Sequence, residues 1–322
     1  METDLTSKGH DMVRHAFAAV FAAILAITAM SPAQAQQSLK LGIGVTSDFL
    51  AAYMALDQGL FEKHGLKVTP VSMAGSAGSN QIAALVAGSF DVLAASGPGL
   101  IQSADAGLPL VGIANGSVLP TFGNLGIVAR TGSNIAKPAD LVGKKVAIAG
   151  LNNILHFAAQ NWLAENGVDY KKIQWVEVLF AQQQDLMKAG QFDAAVMTDP
   201  FFTTTVNQGI GYPAGKVYDK APAGVTLGLY IATRSWADKH PQELASFRAA
   251  LADGEALAKS DNKLAMDVLA KYTKLPAAAL ALVGMPNLAT KLEPGNLEWW
   301  FNVLQKQDVL TSKITASDVV FK

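Results

Sequence analysis

Two short segments, NLGIVAR at residues 124–130 and TLGLYIA at residues 226–232, share one β-type pattern. Joints rich in Gly, Pro, Asn and Ser lie beside them, at residues 115–124 and 209–224, and such clusters mark loops between regular elements. A chain that leaves one lobe and later returns to it needs two such segments around the inserted lobe. The pair therefore predicts two lobes joined by two crossing strands. Chance similarity between short apolar strings is the alternative.

Around these joints, β-rich runs alternate with stretches of helical periodicity. Strands are predicted at residues 39–45, 66–72, 91–95, 109–114, 145–149, 174–179 and 194–198. Such alternation is typical of βαβ units, mostly parallel sheets and the α/β class. We predict a first lobe at residues 36–120 and 230–322 and a second lobe at residues 121–229.

The N-terminal segment has the pattern of a cleaved signal peptide. An apolar run, residues 16–30, follows Arg14 and His15 and precedes Ala33-Gln34-Ala35, a small-x-small site that signal peptidase accepts. As a helix this run rises about 22 Å, less than the roughly 30 Å of a bilayer core. A signal peptide at residues 1–35 and a soluble periplasmic protein are therefore expected. A membrane anchor and a buried N-terminal helix are the alternatives.

Composition excludes several classes of chemistry. The 322 residues carry 25 Lys plus Arg against 26 Asp plus Glu, a net charge of -1, which offers no broad surface for nucleic acid. Cysteine is absent, so disulfides, thiolate metal sites and cysteine nucleophiles are excluded. The five histidines form no HExxH pair and no nucleophile–base motif is visible. We therefore expect no cofactor, no metal and no enzymatic activity.

Five motifs in order resemble one family. They are AAYMA at 51–55, QGLFEKHGLKV at 58–68, LVAGSFDV at 85–92, ADLVGKKVA at 139–147 and KAGQFDAA at 188–195, the last followed by Asp199-Pro200-Phe201. In this order the chain resembles the solute-binding proteins of ABC importers, in the nitrate/sulfonate/taurine and thiamine-pyrimidine-precursor group.

The resemblance implies a two-lobed type II periplasmic-binding-protein fold with a ligand cleft between the lobes. It implies a monomer that captures a small organic solute by lobe closure and delivers it to the membrane permease subunits of an importer. Sulfonate or taurine-like, pyrimidine-like and small aromatic or carboxylate solutes all remain open. An exported enzyme or a periplasmic sensor on the same scaffold is the alternative function.

In open α/β sheets, ligands bind at the carboxyl ends of strands, beside the N-termini of the following helices. That rule selects five loops. Two further candidates lie outside them: Asn115 in the first joint and Tyr230 in the second β-type segment. The candidate ligand contacts are Thr46, Ser47, Asp48 and Phe49; Gly75, Ser76, Gly78 and Ser79; Ser96; Asn152, Asn153 and His156; Asp199; and Asn115 and Tyr230. Several of these residue types also favour helix N-caps, so capping is the alternative role for Asp48, Asn153 and Asp199.

Arginine is absent from these five loops. Because carboxylates and sulfonates are normally recognised by arginine, two possibilities follow. Either an anion is held by backbone N–H groups and helix N-termini alone, or the ligand is neutral or zwitterionic.

Overall fold

The computed structural model describes residues 37–73 and 78–322, with side-chain positions from Gln81 onward in the second range. The predicted signal peptide therefore lies outside the described residues, and so do Gly75 and Ser76. The strands are β1 (Gln37–Ile43), β2 (Leu66–Ser72), β3 (Val92–Ser96), β4 (Leu110–Val118), β5 (Leu125–Arg130), β6 (Lys145–Ile148), β7 (Gln174–Glu177), β8 (Ala194–Thr198), β9 (Gly211–Gly215) and β10 (Thr226–Thr233).

The α-helices lie between and after these strands. They are Leu50–Asp57, Leu60–Lys63, Gly78–Val86, Gly97–Asp105, Ile154–Glu165, Phe180–Lys188, Phe201–Asn207, Arg234–Lys239, Pro241–Ser260, Asn262–Thr273, Ala277–Val283, Gly295–Lys306 and Ala316–Val319, with 3-10 turns at Ser47–Phe49, Pro138–Leu141 and Tyr170–Lys172. Among the described residues, no helix is both long and apolar enough to cross a membrane.

The strands form two five-stranded sheets, one in each lobe. The first-lobe sheet has the order β2-β1-β3-β10-β4 and the second-lobe sheet the order β7-β6-β8-β5-β9. β1 is parallel to β3, and β6 is parallel to both β7 and β8. β10 runs antiparallel to β3 and β4, and β5 runs antiparallel to β8 and β9. The α/β two-lobed fold predicted from the sequence is confirmed.

The two similar β-type segments have equivalent places in the two sheets. They form β5 and β10, and each is the fourth strand of its sheet and antiparallel to its neighbours. Each is also the strand that follows a crossing. The pattern therefore marks the two points at which the chain enters a lobe from the other one.

The crossings are shorter than the joints seen in the sequence. β4 continues to Val118 and β10 already begins at Thr226, before the predicted boundary at residue 230. The connecting segments are hydrogen-bonded to each other, since the Leu119 amide donates to the Val225 carbonyl at 2.9 Å and the Gly224 amide to the Leu119 carbonyl at 2.9 Å. Asn115 is consequently a buried residue of β4 and lies outside the crossing.

Helices cover the first-lobe sheet and leave the carboxyl ends of its strands open. The helix Pro241–Ser260 packs so closely on Leu50–Asp57 that a Cβ at Gly254 would lie 2.3 Å from the Ala51 carbonyl oxygen. The late helix Gly295–Lys306 buries Leu297 and Trp300 against the strands and the second crossing. This packing positions the loops that follow β1 and β3 at one edge of the lobe.

Candidate functional site

A cavity of about 590 Å³ lies between the lobes, within the range of small-molecule sites. Residues from both sheets line it, as the carboxyl-end rule predicts. From the first lobe come Thr46, Ser47, Asp48, Phe49, Gln81, Ser96, Ser117, Leu275, Val283 and Asn287, and from the second lobe and the crossings Thr121, Phe122, Asn124, Leu155, Phe180, Thr198, Asp199, Phe201 and Tyr218. We call this cavity the cleft.

The turn after β1 presents Asp48 to the cleft. The Thr46 hydroxyl accepts the Asp48 amide at 3.2 Å, as an N-cap does, and donates to the Asp48 carboxylate at 2.7 Å. The Ser117 hydroxyl on β4 donates to the other carboxylate oxygen at 2.6 Å. Two donors leave part of the accepting capacity of this carboxylate unused, because an ionised carboxylate offers about four lone-pair sites.

Two glycines on neighbouring strands leave the space that this turn occupies. A Cβ at Gly116 of β4 would lie 2.8 Å from the Asp48 carbonyl oxygen, and one at Gly228 of β10 would lie 2.9 Å from the Asp48 Cβ. Real Cβ atoms essentially never approach other atoms this closely. Gly116 and Gly228 therefore form a floor on which Asp48 and Phe49 rest.

Tyr218, in the second crossing, lines the cleft and has a hydroxyl that makes no hydrogen bond within the described part of the chain. This hydroxyl is buried and has no hydrogen-bond partner among the described residues. Burial raises its pKa well above the ordinary value of 10, and the negative charge of Asp48 raises it further. The ring lies edge-on to Trp300 at 6.1 Å between centroids, which fixes its position. The hydroxyl therefore stays neutral and has an unused donor at the wall of the cleft.

Asp199, in contrast, accepts three donors from the chain itself. One carboxylate oxygen accepts the Asn124 amide at 2.6 Å and the Asn124 side chain at 3.2 Å, and the other accepts the Thr203 amide at 2.9 Å. The residue thus caps the helix Phe201–Asn207 and ties it to the first crossing. It lines the cleft as predicted, but its geometry favours the capping alternative.

Aromatic rings form much of the cleft wall. Phe180 and Phe201 of the second lobe stack with centroids 5.5 Å apart and planes 12° apart. Phe122 of the first crossing is 61 % exposed and packs against the backbone at Gly284. Phe49 closes the first-lobe side, 5.3 Å from the ring of Tyr230. These rings offer faces on which a flat solute can stack.

Charge in the cleft is confined to Asp48 and Asp199. Among the described residues that line it there is no Lys, Arg or His. Residues 37–73 and 78–322 contain no group of three or more His, Cys, Asp or Glu side chains that could hold a metal ion. The cleft has the size and the lining of a binding site for a small organic molecule.

The structure brings only part of the predicted site together. Ser47, Phe49 and Ser96 join Thr46, Asp48 and Asp199 in the cleft. Ser96 also caps the helix Gly97–Asp105 by accepting the Gly99 amide at 3.3 Å. Gly78 begins the helix Gly78–Val86 and Ser79 follows it there, ahead of the residues whose side chains the structure describes.

The remaining predicted contacts lie outside the cleft lining. Asn115 and Tyr230 are each 0 % exposed, within strands of the first-lobe sheet. Asn153 caps the helix Ile154–Glu165 by accepting the amides of Leu155 and His156, both at 3.0 Å. Asn152 has a left-handed backbone with φ of 54°, and its carbonyl accepts the Gln102 side chain of the first lobe at 3.5 Å.

His156 is buried in the second lobe, where its contacts are structural. It is 4 % exposed and lies edge-on to Trp175 at 4.8 Å. The Asn152 amide donates to its Nδ1 at 3.0 Å, so the proton of the neutral ring lies on Nε2. The side-chain amide of Gln160 lies 3.1 Å from Nε2 and accepts this proton when its Oε1 faces the ring. Burial lowers the pKa of His156 to about 4, and the nearby Glu177 carboxylate offsets only part of this effect.

This pKa predicts an acid-dependent loss of stability. The unfolded ring takes up a proton below about pH 6.5, whereas the folded ring stays neutral to about pH 4. Protons therefore favour the unfolded chain within that window, and the contribution of His156 falls by about 2 kcal/mol between pH 7 and pH 5. Urea unfolding of the parent protein and of the His156→Gln variant at both pH values measures this loss of stability. An equal loss in the variant would contradict the assignment.

Several cleft residues were missed in the sequence. Phe180 directly follows the predicted strand at 174–179, so the rule that found the other loops could have found it. Ser117, Phe122 and Asn124 lie in the first joint, which was interpreted as a connection between the lobes. Tyr218 lies in the second joint, and no local pattern sets it apart there.

Comparison with known proteins places these features in a family. Residues 46–265 match the family described as NMT1/THI5 like. A "Putative aliphatic sulfonates-binding protein" of Escherichia coli strain K12 is 26 % identical over 294 residues, which cover 89 % of this chain and 88 % of that protein.

Solved structures share the fold. The periplasmic aliphatic sulphonate binding protein SsuA from Escherichia coli superposes with a TM-score of 0.73 at 23 % identity, over 88 % of this chain and 97 % of that one. The desulfurization enzyme DSZB superposes with a TM-score of 0.65 at 13 % identity, over 88 % and 96 %. At these identities the likeness shows the fold alone. The family match, which spans more than half of the sequence, shows that the chain belongs to the NMT1/THI5-like family.

Proposed function

We propose that the protein is the solute-binding component of an ABC importer, and that it captures a small organic solute in the cleft and presents it to membrane permease subunits. The main support for this function is a cavity of about 590 Å³ that residues of both lobes line, with two short crossings beside it. The sulfonate-binding relative of similar length supports the same role.

Location and assembly follow from this role. The predicted signal peptide at residues 1–35 would export the chain to the periplasm, in keeping with the periplasmic relative of the same fold. The protein would act as a monomer without turnover. An enzymatic role is less well supported, because the relative that matches 89 % of this chain is described as a binding protein.

The first test of the function is ligand-dependent closure. A thermal-shift screen of several hundred small solutes should yield binders, because a ligand at a hundred times its Kd stabilises the folded protein by about 2.7 kcal/mol. Lobe closure on a binder should then lower the radius of gyration in solution scattering, since the crossings can absorb a hinge motion. Sustained conversion of the binder to product would favour the enzyme, and unchanged scattering at saturation would contradict closure.

A further inference from the structure

We propose that the cleft selects an uncharged, flat aromatic solute that carries an N–H donor beside a hydrogen-bond acceptor, as an aromatic carboxamide does. Its N–H would donate to Asp48, and its acceptor would receive the Tyr218 hydroxyl. This inference rests on the proposed solute-binding function and names the ligand class of the same site.

The first step concerns the sign of the charged side chains that line the cleft. The charged side chains of the cleft lining are both carboxylates, and no cationic side chain of the described residues joins them there. A sulfonate or carboxylate ligand would lie near Asp48 without a compensating cation. Like charges at close range in a poorly hydrated cleft repel strongly.

The second step concerns backbone donors, which could hold an anion without any cation. Three helices that begin at the cleft have amides already bonded to side chains of the chain itself. The amide of Gly99 donates to Ser96, those of Leu155 and His156 to Asn153, and that of Thr203 to Asp199. A fourth helix, Phe180–Lys188, has no side-chain cap and begins beside Leu179, which is 64 % exposed. The caps on the first three helices use donors that an anion would need, so among these four helices only Phe180–Lys188 keeps a start without a side-chain cap.

The third step is the pair of unused polar groups. Asp48 accepts two hydroxyl donors and keeps accepting capacity, whereas the Tyr218 hydroxyl is buried with no partner among the described residues. Buried polar groups are normally paired, so an unpaired one beside a cavity indicates a missing partner. Together the two groups form one acceptor and one donor, and an amide group complements both.

The fourth step is the shape of the apolar wall. The stacked rings of Phe180 and Phe201, with Phe122 and Phe49, offer flat faces on both lobes. A planar ring can lie against them and gains about 0.5–1.5 kcal/mol for each aromatic pair beyond its buried area. A flexible aliphatic chain would not gain this term.

The test uses matched probes with the same ring and size. Benzamide and nicotinamide are compared with benzoate, nicotinate and benzenesulfonate by calorimetric titration of the mature protein. We expect millimolar or tighter binding of an amide and at least about tenfold weaker binding of its matched anion. An anion that binds as tightly as its amide would overturn the inference, and so would the absence of binding by both amides.

Variants assign the effect to the two residues. Asp48→Asn keeps the shape but removes the charge, so the preference for amide over anion should shrink by about tenfold. Tyr218→Phe should weaken amides by about tenfold, while the control Tyr170→Phe, outside the cleft, should change nothing. Unchanged preference in Asp48→Asn, with an unchanged melting temperature, counts against the proposal.

The outcome also separates this inference from the proposed function. If solutes from the wider screen bind and close the lobes but are anionic, the importer role stands and the ligand class is wrong. If no solute in the screen binds, the solute-binding role itself fails.

Discussion

Replacing Trp300 by alanine is expected to lower the free energy of unfolding by about 3–5 kcal/mol, the usual cost of removing a large buried aromatic side chain. Trp300 is 0 % exposed, and its ring meets the first turn of the helix Gly97–Asp105, where a Cβ at Gly97 would lie 2.9 Å from it. Its indole Nε1 donates to the Thr226 carbonyl at 2.7 Å. The variant therefore loses packing and leaves one buried carbonyl without its donor.

The neighbouring residue provides a matched control for this experiment. Trp299 lies in the same helix, is only half-buried, and meets Trp300 edge-on at 4.6 Å. Trp299→Ala should cost less than half as much in urea unfolding of the unliganded protein. Equal losses in the two variants would mean that the helix as a whole, and not the Trp300 contact, carries the stability.

Trp300 also links the fold to the cleft, because it supports the Tyr218 ring from the late helical region. The sequence shows two adjacent tryptophans, and helical periodicity alone does not say which of them packs against the strands. That choice depends on a helix–crossing contact between residues about 80 positions apart, and no local pattern encodes it.

The architecture was predictable because it follows from the sequence in which strands and helices alternate along the chain. Alternating strands and helices fixed the α/β class, and the repeated segments marked β5 and β10 as equivalent strands. The direction of these strands was not predictable from their composition. Each is antiparallel because the chain enters its lobe from a crossing and not through a helix.

Within the site, the loops were easier to predict than the side chains. The loop after β6 does reach the cleft, but through Ile154 and Leu155 and not through His156. Successive residues of a helix point about 100° apart, so His156 turns from the cleft toward Trp175. On β4, the register against β10 shifts between Asn115 and Ser117, and it is the Ser117 hydroxyl that donates to Asp48.

The same geometry makes Gly116→Ala the substitution with the largest expected effect on ligand affinity. A methyl group there would lie 2.8 Å from the Asp48 carbonyl oxygen, 3.1 Å from the Gly228 carbonyl oxygen and 3.2 Å from the Phe49 ring. Two of these three neighbours are backbone atoms, so the turn itself has to move. Overpacking of this kind costs about 1–3 kcal/mol of stability.

Displacement of the turn should also misplace the Asp48 carboxylate relative to Ser117 and the ligand. Loss of one hydrogen bond to a charged group is worth about 1.5–3 kcal/mol, so affinity should fall by about 10- to 150-fold. Calorimetric titration with a solute found in the thermal-shift screen measures this change beside the melting temperature of the unliganded variant.

Gly44→Ala is the control, because Gly44 also lines the cleft but a Cβ there meets only the Thr46 methyl, at 3.9 Å. That is an ordinary contact, and restricting a flexible glycine can even stabilise the folded chain slightly when its backbone permits alanine. Gly44→Ala should therefore bind the solute within about twofold of the parent protein. If Gly116→Ala also kept parental affinity, Asp48 would not contact the ligand, because moving its turn would have left binding unchanged.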